Sequence, residues 1–263
     1  MTSDPHAAAK GATRLSIDGP VARICFDRPQ ARNAVTWPMY EELAKICDTL
    51  RAAPQIRVAV FSGAGDRAFV AGTDIEQFLD FKDGHDGVAY EHKVDAIVSA
   101  VETLPMPTIA VVQGYAVGAG LVLANACDYR VATPGSRFGA PIARTVGNCL
   151  SAANVQRLLR SLGESAVARI LMFGQLLPAE SLPPLYLDII EAARLDEHVQ
   201  SLCDTLLSHA PLTMGAAKLA IKRAYGDFVP QDDDIVERVY ASQDFREGVR
   251  AFVARDTPQW QGR

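Results

Sequence analysis

Polar and apolar residues alternate over positions 13–27 on either side of a Gly-Pro pair, which predicts a β-hairpin. Helical spacing follows over positions 36–54, where four apolar residues recur about one turn apart: Met39, Leu43, Ile46 and Leu50. Short apolar stretches at 57–63 and 108–114 each end in glycine, which is typical of buried strands, and "DYRVAT" and "SRFGAP" predict two more short strands. The first two thirds of the chain is therefore predicted to alternate strands and helices around a largely parallel sheet.

From Asn148 onward nearly every segment has apolar residues at helical spacing, as in "VQRLLRSLG" and "REGVRAFVAR". No strict internal repeat divides the chain further. The pattern predicts an α/β protein in three parts: a flexible tail over 1–12, a core over 13–190 and a helical region over 191–263.

Composition narrows the possible functions. The chain has 263 residues, a net charge of −5 and a pI near 5.6, which argues against a nucleic-acid-binding protein. Five cysteines without a C-x-x-C pair indicate free thiols in a reducing compartment, and no run of about 18 apolar residues predicts a membrane span. The five histidines do not fall at metal-ligand spacing. We expect a cytoplasmic protein without a metal, a bound cofactor or a membrane partner.

Two stretches, "FSGAGDRAFVAGTDIEQF" and "TIAVVQGYAVGAGLVLA", each lead from a buried strand through small residues into a predicted helix. Backbone N–H groups at a helix N-terminus have no acceptor within the helix and favour negative charge. Two such junctions facing each other would hold one oxygen between two donors, which is the arrangement of an oxyanion hole. Close packing alone also explains small residues at either junction, so both interpretations stay open at this point.

Four motifs, in order, resemble the crotonase, or enoyl-CoA hydratase/isomerase, superfamily of acyl-CoA enzymes. They are "RPQARNAVTWPMYEEL", "GAGDRAFVAGTDI", "PMPTIAVVQGYAVGAGLVLANACDYRVATPGSRFGAP" and "SQDFREGVRAFVARDTPQWQGR". The resemblance covers the chain from about Leu15 to Arg263. It implies a crotonase-like ββα spiral core with a helical C-terminal trimerisation region, an acyl-CoA substrate, and a homotrimer or dimer of trimers.

Residue by residue, the resemblance implies that the backbone N–H groups of Thr73 and Ala119 form the oxyanion hole. Arg255 matches a lysine that is a family candidate for contacts with the CoA phosphates. The adenine and pantetheine of CoA are expected against Arg32, Asn33, Ala34 and Ala71. The remaining residues predicted to contact substrate are Gly72, Asp74, Ile75, Tyr115, Gly118, Val122, Ile142 and Asn148.

The chain departs from the family at the positions of the catalytic acids. Val122 and Ile142 occupy the two glutamate positions, and Ser151 occupies an acidic position of some dienoyl-CoA isomerases. A positioned general acid or base contributes roughly 10²–10⁴ in rate, so we expect a poor hydratase that still binds and polarises an acyl-CoA. Two alternatives stay open: another reaction of the thioester, namely hydrolysis, decarboxylation or double-bond isomerisation, and a non-catalytic acyl-CoA binder.

Several polar or ionisable residues are candidates to replace the missing acids. Those that follow Ile142 are Arg144, Asn148, Cys149, Ser151 and Asn154. Others are Asp74, which the family context predicts to brace its turn, and Glu76, Tyr90, Glu91 and His92. No histidine neighbours Cys149 in the sequence, so a partly buried thiol is favoured over a nucleophile. The sequence assigns proton transfer to none of these residues.

Overall fold

The computed structural model describes residues 11–224 and 232–262. Its strands are β1 (Ala12–Asp18), β2 (Val21–Asp27), β3 (Val58–Gly63), β4 (Ala68–Val70), β5 (Thr108–Val112), β6 (Tyr115–Val117), β7 (Tyr129–Ala132), β8 (Arg137–Gly139), β9 (Leu177–Pro178) and β10 (Asp188–Ile189). Its α-helices are α1 (Trp37–Arg51), α2 (Gly84–Glu102), α3 (Ala119–Ala126), α4 (Ile142–Thr145), α5 (Ala152–Leu162), α6 (Glu164–Leu171), α7 (Leu195–Ser208), α8 (Pro211–Ala224), α9 (Asp233–Tyr240) and α10 (Gln243–Ala254). A 3-10 helix covers Ile75–Asp80.

The strands form two sheets. The larger has the order β1-β2-β3-β5-β7-β10, in which β1 and β2 form the predicted antiparallel hairpin and the other neighbours pair parallel. The smaller has the order β4-β6-β8-β9, in which β8 and β9 pair antiparallel and the other neighbours parallel. The predicted α/β class with a largely parallel core sheet is confirmed.

Core strands of the larger sheet continue into short strands of the smaller one. Strand β3 leads through a turn to β4 and the 3-10 helix, and β5 leads to β6 and α3. Glycine permits the close approaches on this path, since a Cβ on Gly114 would collide with the Arg67 carbonyl and one on Gly120 with the Val70 carbonyl. Because β4 and β6 are neighbours, the two small-residue junctions lie side by side.

The helices cover both sheets. Helix α1 buries Met39, Leu43, Ile46 and Leu50, as their spacing predicts. Helix α7 packs on the outer face of the larger sheet, α9 packs on α2, and α10 packs on the 3-10 helix. Helix α8 has no buried residue. The C-terminal helices therefore close the core, and the division at residue 190 stays a prediction.

Two details of the sequence-based prediction were wrong. Strands β9 and β10 lie within the region predicted as helical, because two-residue strands are too short to show alternation. The helix predicted after the first junction is present, as the 3-10 helix over Ile75–Asp80. Strand β1 begins at Ala12, so residue 12 does not belong to a tail, and residues 1–10 of that predicted tail lie outside the described residues.

Candidate active site

A cavity of about 510 Å³ lies between the two junctions and α10. Its volume falls within the range of small-molecule sites, roughly 300–1,000 Å³. Most residues predicted from the sequence line it: Arg32, Ala34, Ala71, Gly72, Thr73, Asp74, Ile75, Gly118, Ala119, Ile142, Asn148 and Arg255. Asn33, Tyr115 and Val122 do not. The folded chain therefore brings together residues from four separate motifs.

Asn33 lies behind the cavity wall and holds the turn that forms it. Its side-chain oxygen accepts a hydrogen bond from the Arg28 N–H over 2.9 Å. Its side-chain nitrogen donates to the carbonyl oxygens of Ala64 and Ala68 over 3.0 and 2.7 Å. Arg32 and Asn33 both have positive φ, 51° and 57°, which asparagine tolerates better than most residues. Asn33 therefore braces its neighbours instead of contacting the cavity.

Thr73 follows β4 and pairs with Val35 in an isolated parallel bridge. The Val35 N–H donates to the Gly72 carbonyl and the Asp74 N–H donates to the Val35 carbonyl, each over 2.9 Å. Backbone groups of successive extended residues point to opposite sides, so the Thr73 N–H points away from Val35. Within residues 11–224 and 232–262 that N–H has no hydrogen-bond acceptor. It is available to a ligand in the cavity that Thr73 lines.

Ala119 is the first residue of α3, after Gly118 in the N-cap position with φ 56°. Its N–H belongs to the first helical turn, whose N–H groups have no acceptor within the helix. A Cβ built on Gly118 would lie 3.5 Å from the Cα of Gly72, so the two junctions are in van der Waals contact. The N–H groups of Thr73 and Ala119 thus belong to touching segments that line one cavity. Such an arrangement can hold one oxygen between two donors.

Cationic groups lie on the exposed side of the cavity. Arg32 is exposed, and its guanidinium lies 5.6 Å from the ring centroid of Tyr115, which is outside the lining. Arg255 follows α10 in the left-handed conformation, with φ 58°, and is also exposed. Arg28 pairs with Asp74 over 2.8 Å, and the Asp74 side chain caps the 3-10 helix. The prediction that Asp74 braces its turn is confirmed, and its carboxylate is already engaged in the ion pair with Arg28.

The two positions that lack the family glutamates differ in the structure. Ile142 is half-buried and lines the cavity at the start of α4. Val122 is 1% exposed and packs in the hydrophobic core on α3. It therefore does not line the cavity, in contrast to the prediction that it contacts the substrate. The physical reason is that every residue of α3 except Asn125 is buried, so the helix lies within the core.

Most candidate replacements for the missing acids lie outside the lining: Arg144, Cys149, Ser151, Asn154, Glu91 and His92. Burial raises the pKa of the Cys149 thiol to about 12, so this thiol stays protonated at neutral pH. Ser151 caps α5 and is 2% exposed. His92 is paired with Asp233 on the surface. The remaining candidates on the wall are Asn148, Asp74, Glu76 and Tyr90.

Glu91 is a buried carboxyl group next to the wall. It is 2% exposed and accepts hydrogen bonds from the Tyr240 hydroxyl over 2.7 Å and the Ser151 N–H over 3.0 Å. Burial raises its pKa to about 8 in spite of these bonds. The Asn148 side chain donates to the Tyr240 hydroxyl over 3.2 Å. Glu91 therefore ties α2 and α9 to the wall segment that contains Asn148, without reaching the cavity itself.

Three hydroxyl groups at Thr73 form a cluster that sequence reasoning missed. The Thr73 hydroxyl oxygen lies 2.8 Å from the Tyr40 hydroxyl and 2.8 Å from the Tyr90 hydroxyl. All three residues are buried, and Tyr90 lines the cavity. The threonine of "AGTD", where the family motif has alanine, is the one signal in the sequence that pointed here.

Comparison with known proteins identifies the family. The family described as "Enoyl-CoA hydratase/isomerase" matches residues 16–263, so the chain belongs to this family and to the crotonase superfamily. It is 29% identical over 256 residues to (E)-benzylidenesuccinyl-CoA hydratase of Thauera aromatica, covering 94% of this chain and 98% of that protein. It is 30% identical over 274 residues to the mitochondrial enoyl-CoA hydratase domain-containing protein 2 of Homo sapiens, covering 99% and 93%.

Solved structures confirm the crotonase-like fold. An enoyl-CoA hydratase/carnithine racemase from Magnetospirillum magneticum has a TM-score of 0.78 at 27% identity, covering 97% of this chain and 98% of that one. A methylmalonyl-CoA decarboxylase in complex with 2-nitronate-propionyl-CoA has a TM-score of 0.86, covering 96% and 99%. Its identity is 21%, so this likeness concerns the fold alone. Trimerisation of the C-terminal region stays a prediction.

Helices in the two described ranges are too short or too polar to span a bilayer. The human relative named above is mitochondrial by its name. The cytoplasmic location therefore stays a prediction.

Proposed function

We propose that this chain binds an acyl-CoA thioester in the 510 Å³ cavity and polarises its carbonyl between the N–H groups of Thr73 and Ala119. The observation that carries the proposal is a pair of N–H groups, on touching segments, for which the described part of the chain provides no acceptor. Membership in a family of acyl-CoA enzymes supports the substrate class. Hydrogen-bond donors that point at a developing oxyanion stabilise the transition state, and removal of one donor lowers the rate by about 10²–10³.

The CoA part of the substrate lies along the turn braced by Asn33. Ala34 and Ala71 offer small side chains and backbone groups to the pantetheine and adenine, and Ala71 is hydrogen-bonded to the Arg32 carbonyl. Arg32 and Arg255 face the phosphates from the exposed side. A chain of net charge −5 needs such local cations to attract an anionic ligand.

Simple hydration is expected to be slow. Among the described residues, the carboxylates of the wall are those of Asp74, already paired with Arg28, and of Glu76, which is exposed. Neither Ile142 nor Val122 supplies the acid and base that water addition requires. A polarised thioester still permits hydrolysis, decarboxylation or double-bond isomerisation.

A non-catalytic acyl-CoA binder is the second candidate, favoured by the loss of both family glutamates. A panel of saturated, enoyl and 2-carboxyacyl-CoA thioesters separates the two candidates, with calorimetry for binding and chromatography for products. Product formation supports the enzyme, and affinity without product supports the binder. Failure of every thioester to bind would contradict both.

The assembly proposed is a homotrimer or a dimer of trimers. Helix α8 exposes the apolar side chains of Leu212, Leu219 and Ile221, at 88%, 50% and 59%, which favours burial against another chain. The same helix is held to the core by the Lys218–Asp128 and Lys222–Glu102 ion pairs. Sedimentation equilibrium is expected to give three or six times 28.3 kDa, and a stable single chain would contradict the assembly.

A further inference from the structure

Three buried hydroxyl groups form a chain that ends at the cavity. The Tyr40 hydroxyl lies 2.8 Å from the Thr73 hydroxyl, which lies 2.8 Å from the Tyr90 hydroxyl. Tyr40 is 1% exposed and lies behind the wall, whereas Tyr90 lines the cavity. Thr73 also carries one of the two N–H groups proposed to hold the thioester oxygen. The Tyr90 hydroxyl therefore lies beside the position expected for the thioester carbonyl.

Packing and hydrogen bonding orient the Tyr90 hydroxyl. The Tyr90 ring meets Trp37 and Phe78 edge to face, with centroid distances of 5.7 and 4.9 Å. Burial raises the pKa of Tyr90 well above its ordinary value, so the hydroxyl keeps its proton at neutral pH. Either oxygen of each pair can be the donor, and with Tyr40 donating to Thr73 and Thr73 donating to Tyr90, the Tyr90 proton is available to a ligand in the cavity.

We propose that Tyr90 is the proton donor of this site, and that its hydroxyl protonates the α-carbon of a thioester enolate held by Thr73 and Ala119. The inference rests on the proposed function. It assigns proton transfer to a phenol in a site where both family glutamates are replaced by apolar residues.

A phenol that keeps its proton can act as an acid but not as a base. The site therefore fits substrates whose enolate forms without proton abstraction, and 2-carboxyacyl-CoA thioesters are the class that needs neither a base nor an added nucleophile. Loss of CO₂ leaves the electron pair of the broken carbon–carbon bond in the enolate. The α-carbon of the enolate then takes the Tyr90 proton with this electron pair, and the Thr73 hydroxyl donates a hydrogen bond to the resulting phenolate. Water restores the phenol after product release, so that one proton is consumed for each CO₂ lost.

The apolar part of the wall favours the same step. Ile142, Val146 and Leu150 line the cavity without a charged group of their own. A substrate carboxylate in such surroundings loses hydration, and its conversion to neutral CO₂ removes the buried charge. The residues that make hydration unfavourable therefore favour decarboxylation.

The test uses methylmalonyl-CoA as the probe, with the full-length chain in D₂O. We expect propionyl-CoA that carries one deuterium at C2 in a single configuration, because the donor is fixed on one face of the enolate. Tyr90→Phe keeps the ring and its packing but removes the hydroxyl. We expect this variant to bind the thioester within about threefold of the parent, to form product at least about 10²-fold more slowly, and to give both configurations equally.

Tyr186→Phe is the matched control, since it removes another buried hydroxyl, bonded to Asn125 and outside the cavity lining. It is expected to behave as the parent. A Tyr90→Phe variant with the parent rate, or with deuterium in one configuration, would overturn the proposal, and so would a parent chain that binds the probe without releasing CO₂. Absence of thioester binding by the parent chain would instead contradict the proposed function.

Discussion

Gly118 and Gly72 are in direct contact, since a Cβ built on Gly118 would lie 3.5 Å from the Gly72 Cα. The turn before α3 therefore packs against the turn after β4. Each glycine precedes one of the two residues, Thr73 and Ala119, whose N–H groups have no hydrogen-bond acceptor within the described residues. The contact between the glycines thus sets the separation of the two donors.

Gly118→Ala tests that relationship. Gly118 has φ 56° and ψ −118°, which residues with a side chain rarely adopt, so we expect the free energy of unfolding to fall by about 1–3 kcal/mol. Acyl-CoA turnover should fall as well, because relief of the strain displaces Ala119. Gly135→Ala is the control, since Gly135 has φ 74° but open space around it, away from the cavity. Equal turnover in the two variants would contradict the assigned role of Gly118.

Glu91 should make stability depend on pH. Burial raises its pKa in the folded chain from the ordinary value of 4.5 to about 8. The folded chain then keeps a proton that the unfolded chain loses, so the stabilisation is complete below pH 4.5 and is lost as pH rises towards 8. We expect the free energy of unfolding to fall by up to about 1.4 kcal/mol per pH unit in this window.

Urea unfolding of the parent chain and Glu91→Gln, compared between these pH values, isolates the effect. The glutamine cannot ionise, and its amide can donate to Tyr240 and accept from the Ser151 N–H. The free energy of unfolding of the variant should therefore fall less steeply with pH than that of the parent chain. Identical slopes for the two chains would contradict a raised pKa at Glu91.

Long elements and motif residues could be predicted because their signals are local. The four apolar residues of α1 and the glycine-rich stretches before Thr73 and Ala119 are each contained in one segment. Strand β8 of the smaller sheet was predicted from "SRFGAP", whereas β4, β6 and β9 were missed because strands of two or three residues are too short for alternation to show. In the sequence, the residues of β4 and β6 instead appear as part of the small-residue junctions that follow β3 and β5.

The hydroxyl cluster could not be predicted for a different reason. Tyr40 and Thr73 are 33 residues apart, and Thr73 and Tyr90 are 17 apart. Their contact depends on how α1 and α2 pack over the turn at Thr73, which no local pattern encodes. The burial of Val122 is similar, because it depends on what surrounds α3 on every side.

Ile142→Glu should raise the hydration activity. Ile142 lines the cavity and begins α4, so a carboxylate there reaches the substrate without entering the core. We expect crotonyl-CoA hydration, followed by loss of the enoyl absorbance, to be slow in the parent and about 10-fold or more faster in the variant. Ile142→Gln controls for polarity without charge. A parent turnover of roughly 1–10³ per second would show that another group already supplies this chemistry.

Val122→Glu should instead destabilise the protein. The side chain is 1% exposed in the core, so a carboxylate there is buried without a partner. We expect the free energy of unfolding to fall by about 3–5 kcal/mol, measured by chemical denaturation. A stable Val122→Glu chain with faster hydration would place this position on the cavity wall after all.

Arg255→Gly should weaken CoA binding. Glycine accepts the left-handed conformation of this residue, φ 58°, so the variant removes the charge without backbone strain. We expect CoA affinity to fall up to about fivefold at low ionic strength, and the difference to shrink as salt is added. Arg250→Gln, on the same helix but outside the cavity lining, is the control. An Arg255→Gly affinity equal to that of the parent at low salt would contradict a phosphate contact.

The most direct measurement is the infrared carbonyl stretch of a bound acyl-CoA labelled with ¹³C at the thioester carbon. Ala119→Pro removes one N–H, and proline is tolerated at the first position of a helix. Ala119→Gly keeps that N–H and is the control. We expect the stretch to move to lower frequency when the parent chain or Ala119→Gly binds the ligand, and to move much less with Ala119→Pro. An equal shift in all three chains, or no shift in the parent, would contradict polarisation of the carbonyl by Thr73 and Ala119.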